Sequence, residues 1–108
     1  MKMIIGRTII SEKAIEQIVL ETIYDCYGVA GVHKSTMLDK VRGKPPDIKI
    51  KTRRNILTLQ LSLLVEPELP FQQVAKNTIH TLKFILSKMV GIEQDNIKIK
   101  LYLYKVKS

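Results

Sequence analysis

The chain has 108 residues, 45% of them hydrophobic and 26% charged, which is typical of one small globular domain over residues 1–108. No apolar run approaches the roughly 18 residues of a membrane-spanning helix, and the start "MKMIIGRTII" is too short and too polar for a secretory signal. The lone cysteine, Cys26, cannot form a disulfide within the chain, so we predict a cytoplasmic protein. The net charge of +8 indicates an anionic partner, either nucleic acid or an acidic membrane surface.

The first predicted helix begins at Glu12, with Ser11 as its cap, and ends at Gly28, where a left-handed residue is favoured. Its apolar residues recur close to the helical period: Ile15, Ile18, Val19, Ile23 and Cys26. Its outer face is acidic within a basic protein: Glu12, Glu16, Glu21 and Asp25. These features predict an amphipathic helix.

The stretch "CYGVAGVHKS", residues 26–35, allows three interpretations. A phosphate-binding P-loop needs a glycine directly before Lys34 and a strand before the motif, and the sequence has neither. A nucleic-acid-binding GxxG loop of the KH type matches the letters of residues 28–31, although Val29 and Ala30 supply no positive charge. The interpretation that we favour is a structural turn at Gly28 and Gly31, which ends the helix.

Two strands follow a predicted surface loop at residues 35–47, which has no period and contains Gly43, Pro45 and Pro46. The segments "DIKIKT" and "ILTLQLSLLV" alternate with period two, and "RRN" between them suits a hairpin turn. One face is predicted to be buried: Ile48, Ile50, Leu57, Leu59, Leu61, Leu63 and Val65. The other face is polar: Lys49, Lys51, Thr58, Gln60 and Ser62.

A second helix is predicted from Pro70, in its first turn, to Gly91, which ends it. Its apolar stripe is Phe71, Val74, Ala75, Thr78, Leu82, Ile85, Leu86 and Met89. The closing strand "NIKIKLYLYKV" buries one set of residues: Ile97, Ile99, Leu101 and Leu103. Its other side shows Lys98, Lys100, Tyr102 and Tyr104.

These elements predict an α+β fold, an α-β-β-α-β two-layer sandwich with both helices on one face of a three- or four-stranded sheet. A short edge strand around residues 8–10 can add to it. The other sheet face stays open, and it carries the candidate interaction face: Lys49, Lys51, Arg53, Arg54, Lys98, Lys100, Tyr102 and Tyr104. Tyrosines among lysines can stack on nucleic-acid bases, whereas a purely solvated face would deter aggregation.

No catalytic, cofactor or metal site is predicted. His33 and His80 are far apart in sequence, and a single cysteine gives no zinc-ligand spacing. Cys26 lies in the apolar stripe of the first helix, where packing is the expected role. The protein is therefore predicted not to be an enzyme.

The stretch "GRTIISEKAIEQIVLETIYDCYGVAGV" resembles the opening of the bacterial alkaline shock protein family, with its "V-x-G-V" turn at residues 29–32. The second half, "LPFQQVAKNTIHTLKFILSKMVGIEQDNIKIKLYLYKV", is similar to the helix and closing strand of that family. The resemblance runs from about Gly6 to Val106, although this chain is basic where several members are acidic.

The resemblance implies a non-enzymatic scaffold of the envelope stress response, which acts near the cytoplasmic membrane through protein contacts. Its partners would be a membrane-anchored protein and further copies of itself. The alternative is a nucleic-acid-binding module that uses the basic open face, and an anionic membrane surface is a further option.

Overall fold

The structure, a computed structural model, describes residues 2–5, 8–34, 37–43 and 47–106. An antiparallel hairpin of β1 (Lys2–Ile5) and β2 (Thr8–Ser11) comes first. The remaining elements are, in chain order, α1 (Glu12–Tyr24), β3 (Val29–Val32), α2 (Met37–Val41), β4 (Ile48–Arg53), β5 (Ile56–Val65), α3 (Phe71–Val90), a 3₁₀ turn (Gln94–Asn96) and β6 (Ile97–Lys105).

Strand β5 is the centre of a four-stranded sheet. Strand β6 runs parallel to it along one edge, from the Leu57–Ile97 pair to the Val65–Lys105 pair. Strands β4 and β3 are both antiparallel to β5, and they share its other edge end to end. Ser62 marks their junction, because its N–H donates to the Asp47 carbonyl (2.9 Å) and its carbonyl accepts from the His33 N–H (2.8 Å).

Both long helices pack on the same face of this sheet, which confirms the predicted α+β two-layer sandwich. Alternation turns every second side chain of β5 toward the helices, and α1 and α3 each contribute one apolar stripe. The buried core residues are Ile15, Val19 and Ile23 of α1, Cys26 after it, Leu57, Leu59, Leu61, Leu63 and Val65 of β5, Val74, Leu82, Leu86 and Val90 of α3, Ile92 after it, and Ile97 of β6.

The start of α1 is as predicted, and its end is not. The Ser11 hydroxyl accepts a hydrogen bond from the Ala14 N–H (3.1 Å), so Ser11 caps the helix. The helix ends at Tyr24, before Gly28. There the N–H groups of Asp25 and Cys26 donate hydrogen bonds to the carbonyls of Thr22 and Ile23, three residues earlier, and not four as in an α-helix. Gly28 has the expected positive φ of 82°, but it lies in the turn that leads into β3.

Gly31 is not part of a turn, and the interpretation of residues 28–31 as a KH-type loop is wrong. Gly31 lies within β3, at a bulge opposite Leu64 of β5, so residues 28–31 join a helix to a strand. The GxxG loop of a KH domain would have to join two helices. Sequence reasoning missed β3 and β1. The edge strand expected around residues 8–10 exists as β2, but it pairs with β1 in a separate two-stranded sheet and does not extend the four-stranded sheet.

The stripe of α3 differs from the prediction at its ends. Pro70 is the N-cap residue, and Phe71 and Met89 are 40% and 61% exposed. The buried residues recur every four positions from Val74 to Val90, so the contact line drifts away from Met89. Gly91 ends the helix in the left-handed conformation, as predicted.

The segment at residues 35–47 is not only loop. It contains α2, a five-residue helix whose Met37, Leu38 and Val41 are exposed. Gly43 has a positive φ of 73°, and Pro45 and Pro46 lie outside the described residues.

Candidate interaction face

The sheet surface opposite the helices carries most of the predicted basic residues, and we call it the lysine face. Its members are Lys49, Lys51 and Arg53 of β4 and Lys98, Lys100, Tyr102 and Tyr104 of β6, on either side of Thr58, Gln60, Ser62 and Leu64 of β5. Alternation puts them together because every second residue of a strand points to the same side.

The lysines form two rows across three strands. Lys51 pairs with Thr58, which pairs with Lys98, and one step along Lys49 and Lys100 flank Gln60 in the same way. Since neighbouring strands are about 4.8 Å apart, the two lysines of a row are anchored roughly 10 Å from each other. All four lysines are exposed.

The two arginines lie at one end of the lysine face. Arg53 is the last residue of β4 and alternates onto the same side as Lys49 and Lys51. Arg54 and Asn55 form the two-residue turn into β5, with positive φ values of 50° and 66°. Such values are typical of the type I′ hairpin turn, whose twist matches the strands. Arg54 is therefore exposed at the hairpin tip, beyond the face itself.

The two tyrosines differ in what they can offer a partner. The Lys100 ammonium lies 5.4 Å from the ring centroid of Tyr102, a cation–π contact. One face of the Tyr104 ring is already covered by His33, at 4.2 Å between ring centroids. Tyr102 is thus the better candidate for stacking on a ligand.

Sequence reasoning missed a polar cluster beside these tyrosines. His33 and Asp47 meet over the β3–β4 junction, with Nδ1 and Oδ1 3.9 Å apart. The side chain of Ser62, on the same face of β5, is fully buried. The period-two pattern of residues 47, 49 and 51 could have placed Asp47 on the lysine face. The position of His33, beyond the end of β3, could be known only from the tertiary structure.

Positive charge predominates on the lysine face, although the described Asp47 carboxylate lies on the same side of the sheet. None of its four lysines forms an ion pair with a described carboxylate. Like charges this close repel, more strongly at low salt. The arrangement is therefore suited to binding a negatively charged surface.

Other reactive groups are isolated. Cys26 is 9% exposed, and burial raises the pKa of its thiol, which disfavours the nucleophilic thiolate. His80 is exposed on α3, away from the lysine face. Among the described side chains, no three His, Cys, Asp or Glu come together as a metal site, and no described helix is long and apolar enough to span a bilayer.

The comparisons with known proteins give a family and a fold. Residues 1–103 match the sequence profile of the alkaline shock protein 23 family, described by its cell envelope-related function. No curated protein matches the chain in sequence.

Among solved structures, a histidine-to-alanine variant of the MamM CTD has a TM-score of 0.58 and 11% identity, covering 90% of this chain and 100% of that one. An aspartate-to-histidine variant of the MamM CTD, described as a copper form, has a TM-score of 0.56 and 13% identity over the same shares. At such identities the likeness concerns the fold alone.

Proposed function

Since the chain belongs to the alkaline shock protein 23 family, whose function is cell envelope-related, we propose that it is a non-enzymatic scaffold that acts near the cytoplasmic membrane through protein contacts. Family membership agrees with the resemblance seen in the sequence. The scaffold role and the partner are our inference.

The observation that carries the proposal is the uncovered lysine face. Lys49, Lys51, Lys98 and Lys100 concentrate positive charge on one flat surface and form no ion pair with a described carboxylate. Such a surface steers an acidic partner toward itself and fixes the orientation of docking.

The proposed partner is the acidic surface of a membrane-anchored protein. A second acceptor is the outer side of α1 in another copy of the chain. Its carboxylates include Glu21, and Asp25 directly follows the helix; both are exposed and without a described ion pair. Contact between a lysine face and an α1 would be head-to-tail, so it would build rings or filaments rather than closed dimers.

The test compares two double charge reversals that alter the net charge equally. Lys98→Glu with Lys100→Glu removes half of each lysine row, and Lys76→Glu with Lys88→Glu changes two exposed lysines of α3 in the helix layer. In the native cell, a fluorescent fusion of the parent chain should gather at the membrane and retain a membrane protein after cross-linking. The lysine-face variant should lose both, and the helix-layer variant should keep both.

An even cytosolic distribution of the parent chain, with no membrane protein recovered, would count decisively against the scaffold proposal. Loss of the interaction in both variants would instead assign it to net charge, and retention in both would exclude the lysine face.

A second candidate function is nucleic-acid binding, which the rows of lysine beside Tyr102 favour. Lysine contacts to several phosphates predict an affinity that falls steeply with salt, and Tyr102 could stack on a base. Binding of a labelled oligonucleotide at two salt concentrations tests it. No binding at low salt would eliminate this function.

A further inference from the structure

Helix α2 exposes apolar side chains that the fold itself does not use. Met37 is 83% exposed, Val41 is 79% exposed and Leu38 is 56% exposed. Met37 and Val41 are four residues apart, so they share one side of the turn, and Leu38 lies next to them. Three large apolar residues in water within five positions indicate a surface that another apolar phase covers.

The placement of α2 suits a contact outside the domain. The chain leaves the sheet edge at His33 and returns to it at Asp47, and both residues bond to the backbone of Ser62. The segment between them therefore begins and ends at one point of the sheet. The turn of α2 is closed by a hydrogen bond from the Arg42 N–H to the Leu38 carbonyl (3.0 Å).

The charges around α2 favour a membrane over a protein groove as the covering phase. Lys34 and Arg42 are exposed on its two sides, and the sequence adds Lys40 and Lys44 against the single acid Asp39. Apolar side chains between cations are typical of segments that lie at a membrane interface. Such segments bury their apolar side chains at the acyl boundary and place their cations among anionic headgroups.

We propose that α2 inserts Met37, Leu38 and Val41 into the surface of an anionic lipid bilayer, while Lys34 and Arg42 contact the headgroups. This contact differs from the proposed function, in which a protein partner recruits the chain through the lysine face. Direct lipid contact at α2 would add to that attachment, since a weak interfacial anchor needs a second signal for stable binding.

The absence of tryptophan from the sequence makes a specific reporter possible. Leu38→Trp places one indole at the proposed insertion point, and Met89→Trp places one at a 61% exposed apolar position of α3. With vesicles of phosphatidylglycerol and phosphatidylcholine, the indole emission of the Leu38→Trp variant should shift to the blue and be quenched by brominated acyl chains. The emission of Met89→Trp should stay unchanged, as should that of Leu38→Trp with phosphatidylcholine alone.

A second pair of variants tests the apolar contact without a reporter. Met37→Ser with Val41→Ser removes apolar surface without adding charge and should weaken binding to the anionic vesicles roughly tenfold or more in sedimentation, whereas Met89→Ser should not. The substituted side chains are exposed, so both variants should keep the parent circular dichroism spectrum.

The outcomes separate this proposal from the proposed function. Vesicle binding without a shift in the emission of Leu38→Trp would overturn the proposal of α2 insertion. So would vesicle binding that is lost only in the variant Lys98→Glu with Lys100→Glu, and lipid contact would then be assigned to the lysine face. A Leu38→Trp shift with soluble protein extract but not with vesicles would also overturn it, in favour of a protein groove. A vesicle-induced shift of the purified Leu38→Trp variant, measured with no protein partner present, would support α2 insertion independently of the scaffold role.

Discussion

The imidazole ring of His33 stacks on the phenol ring of Tyr104, with the ring centroids 4.2 Å apart and the planes inclined by 21°. His33 directly follows β3, and Tyr104 belongs to β6 on the opposite side of β5. The pair therefore spans the central strand on the lysine face and joins two strands that do not pair with each other.

A double-mutant cycle should detect this stack. Stacked aromatic pairs contribute about 0.5–1.5 kcal/mol beyond the area they bury, so His33→Ala and Tyr104→Ala should be coupled by that amount in urea unfolding. The control cycle pairs His33→Ala with Tyr24→Ala, an exposed residue of the other layer, and should be additive. Additivity in both cycles would show that the stack contributes nothing.

Gly28 should be intolerant of a side chain for two separable reasons. Its φ is 82°, and an added Cβ would lie 2.6 Å from Cγ2 of Val74 and 2.9 Å from Cδ1 of Leu69. Gly43→Ala is the matched control, because its φ is 73° but its Cβ would meet nothing within 4 Å.

Both alanine variants should lose about 1–2 kcal/mol from the left-handed backbone, and Gly28→Ala should lose about 1–3 kcal/mol more from overpacking. Chemical denaturation of the two variants measures the difference. Equal losses would mean that α3 moves aside without cost.

Leu82 should be a main contributor to the free energy of unfolding. It is fully buried between α3 and the sheet, so Leu82→Ala should cost roughly 2–5 kcal/mol. Met89→Ala, on the same helix but 61% exposed, should stay within about 0.5 kcal/mol of the parent. A loss below that level for Leu82→Ala would contradict the buried stripe.

The Cys26 thiol should react slowly. Because burial raises its pKa, the folded protein holds less thiolate at a given pH than a free cysteine does, and its reaction profile moves to higher pH. Alkylation by iodoacetamide at mildly alkaline pH should be slower by about tenfold or more than in the urea-unfolded chain. Similar rates in the two states would show that the thiol is accessible.

Self-association should depend on salt if α1 of one copy binds the lysine face of another. In sedimentation velocity, the parent chain should form larger species at about 0.01 M salt and fewer at about 1 M, where screening is far stronger. Lys98→Glu with Lys100→Glu should remain monomeric, while Lys76→Glu with Lys88→Glu, on α3, still associates. A parent chain that is monomeric at high concentration and low salt would leave only an external partner.

The lysine face could be predicted because strand alternation is a local property. In β4, β5 and β6 the period-two pattern alone decides which side chains share a side, and "IKIK" occurs in both β4 and β6. The pattern did not decide whether β6 would lie beside the β4–β5 hairpin. The parallel pairing of β6 with β5 places Lys98 and Lys100 across β5 from the lysines of β4.

The parts that could not be predicted depend on contacts between distant residues. Strand β3 has only four residues, "VAGV", too few and too small for a recognisable period, and it is a strand because β5 pairs with it. The exposure of Phe71 and Met89 follows from the line along which α3 crosses the sheet. The stack of His33 on Tyr104 exists because β3 and β6 pair with the same end of β5 from opposite edges.

The junction at Ser62 also bears on how the chain could be lengthened. Residues 34–46 are bounded by two hydrogen bonds to one residue, so extra residues there would leave the register of β3, β4 and β5 unchanged. Doubling the length of a flexible loop costs only about 0.6 kcal/mol in closure entropy. The fold can thus accept a longer insertion, even an inserted domain, at this point while it keeps both its core and its lysine face.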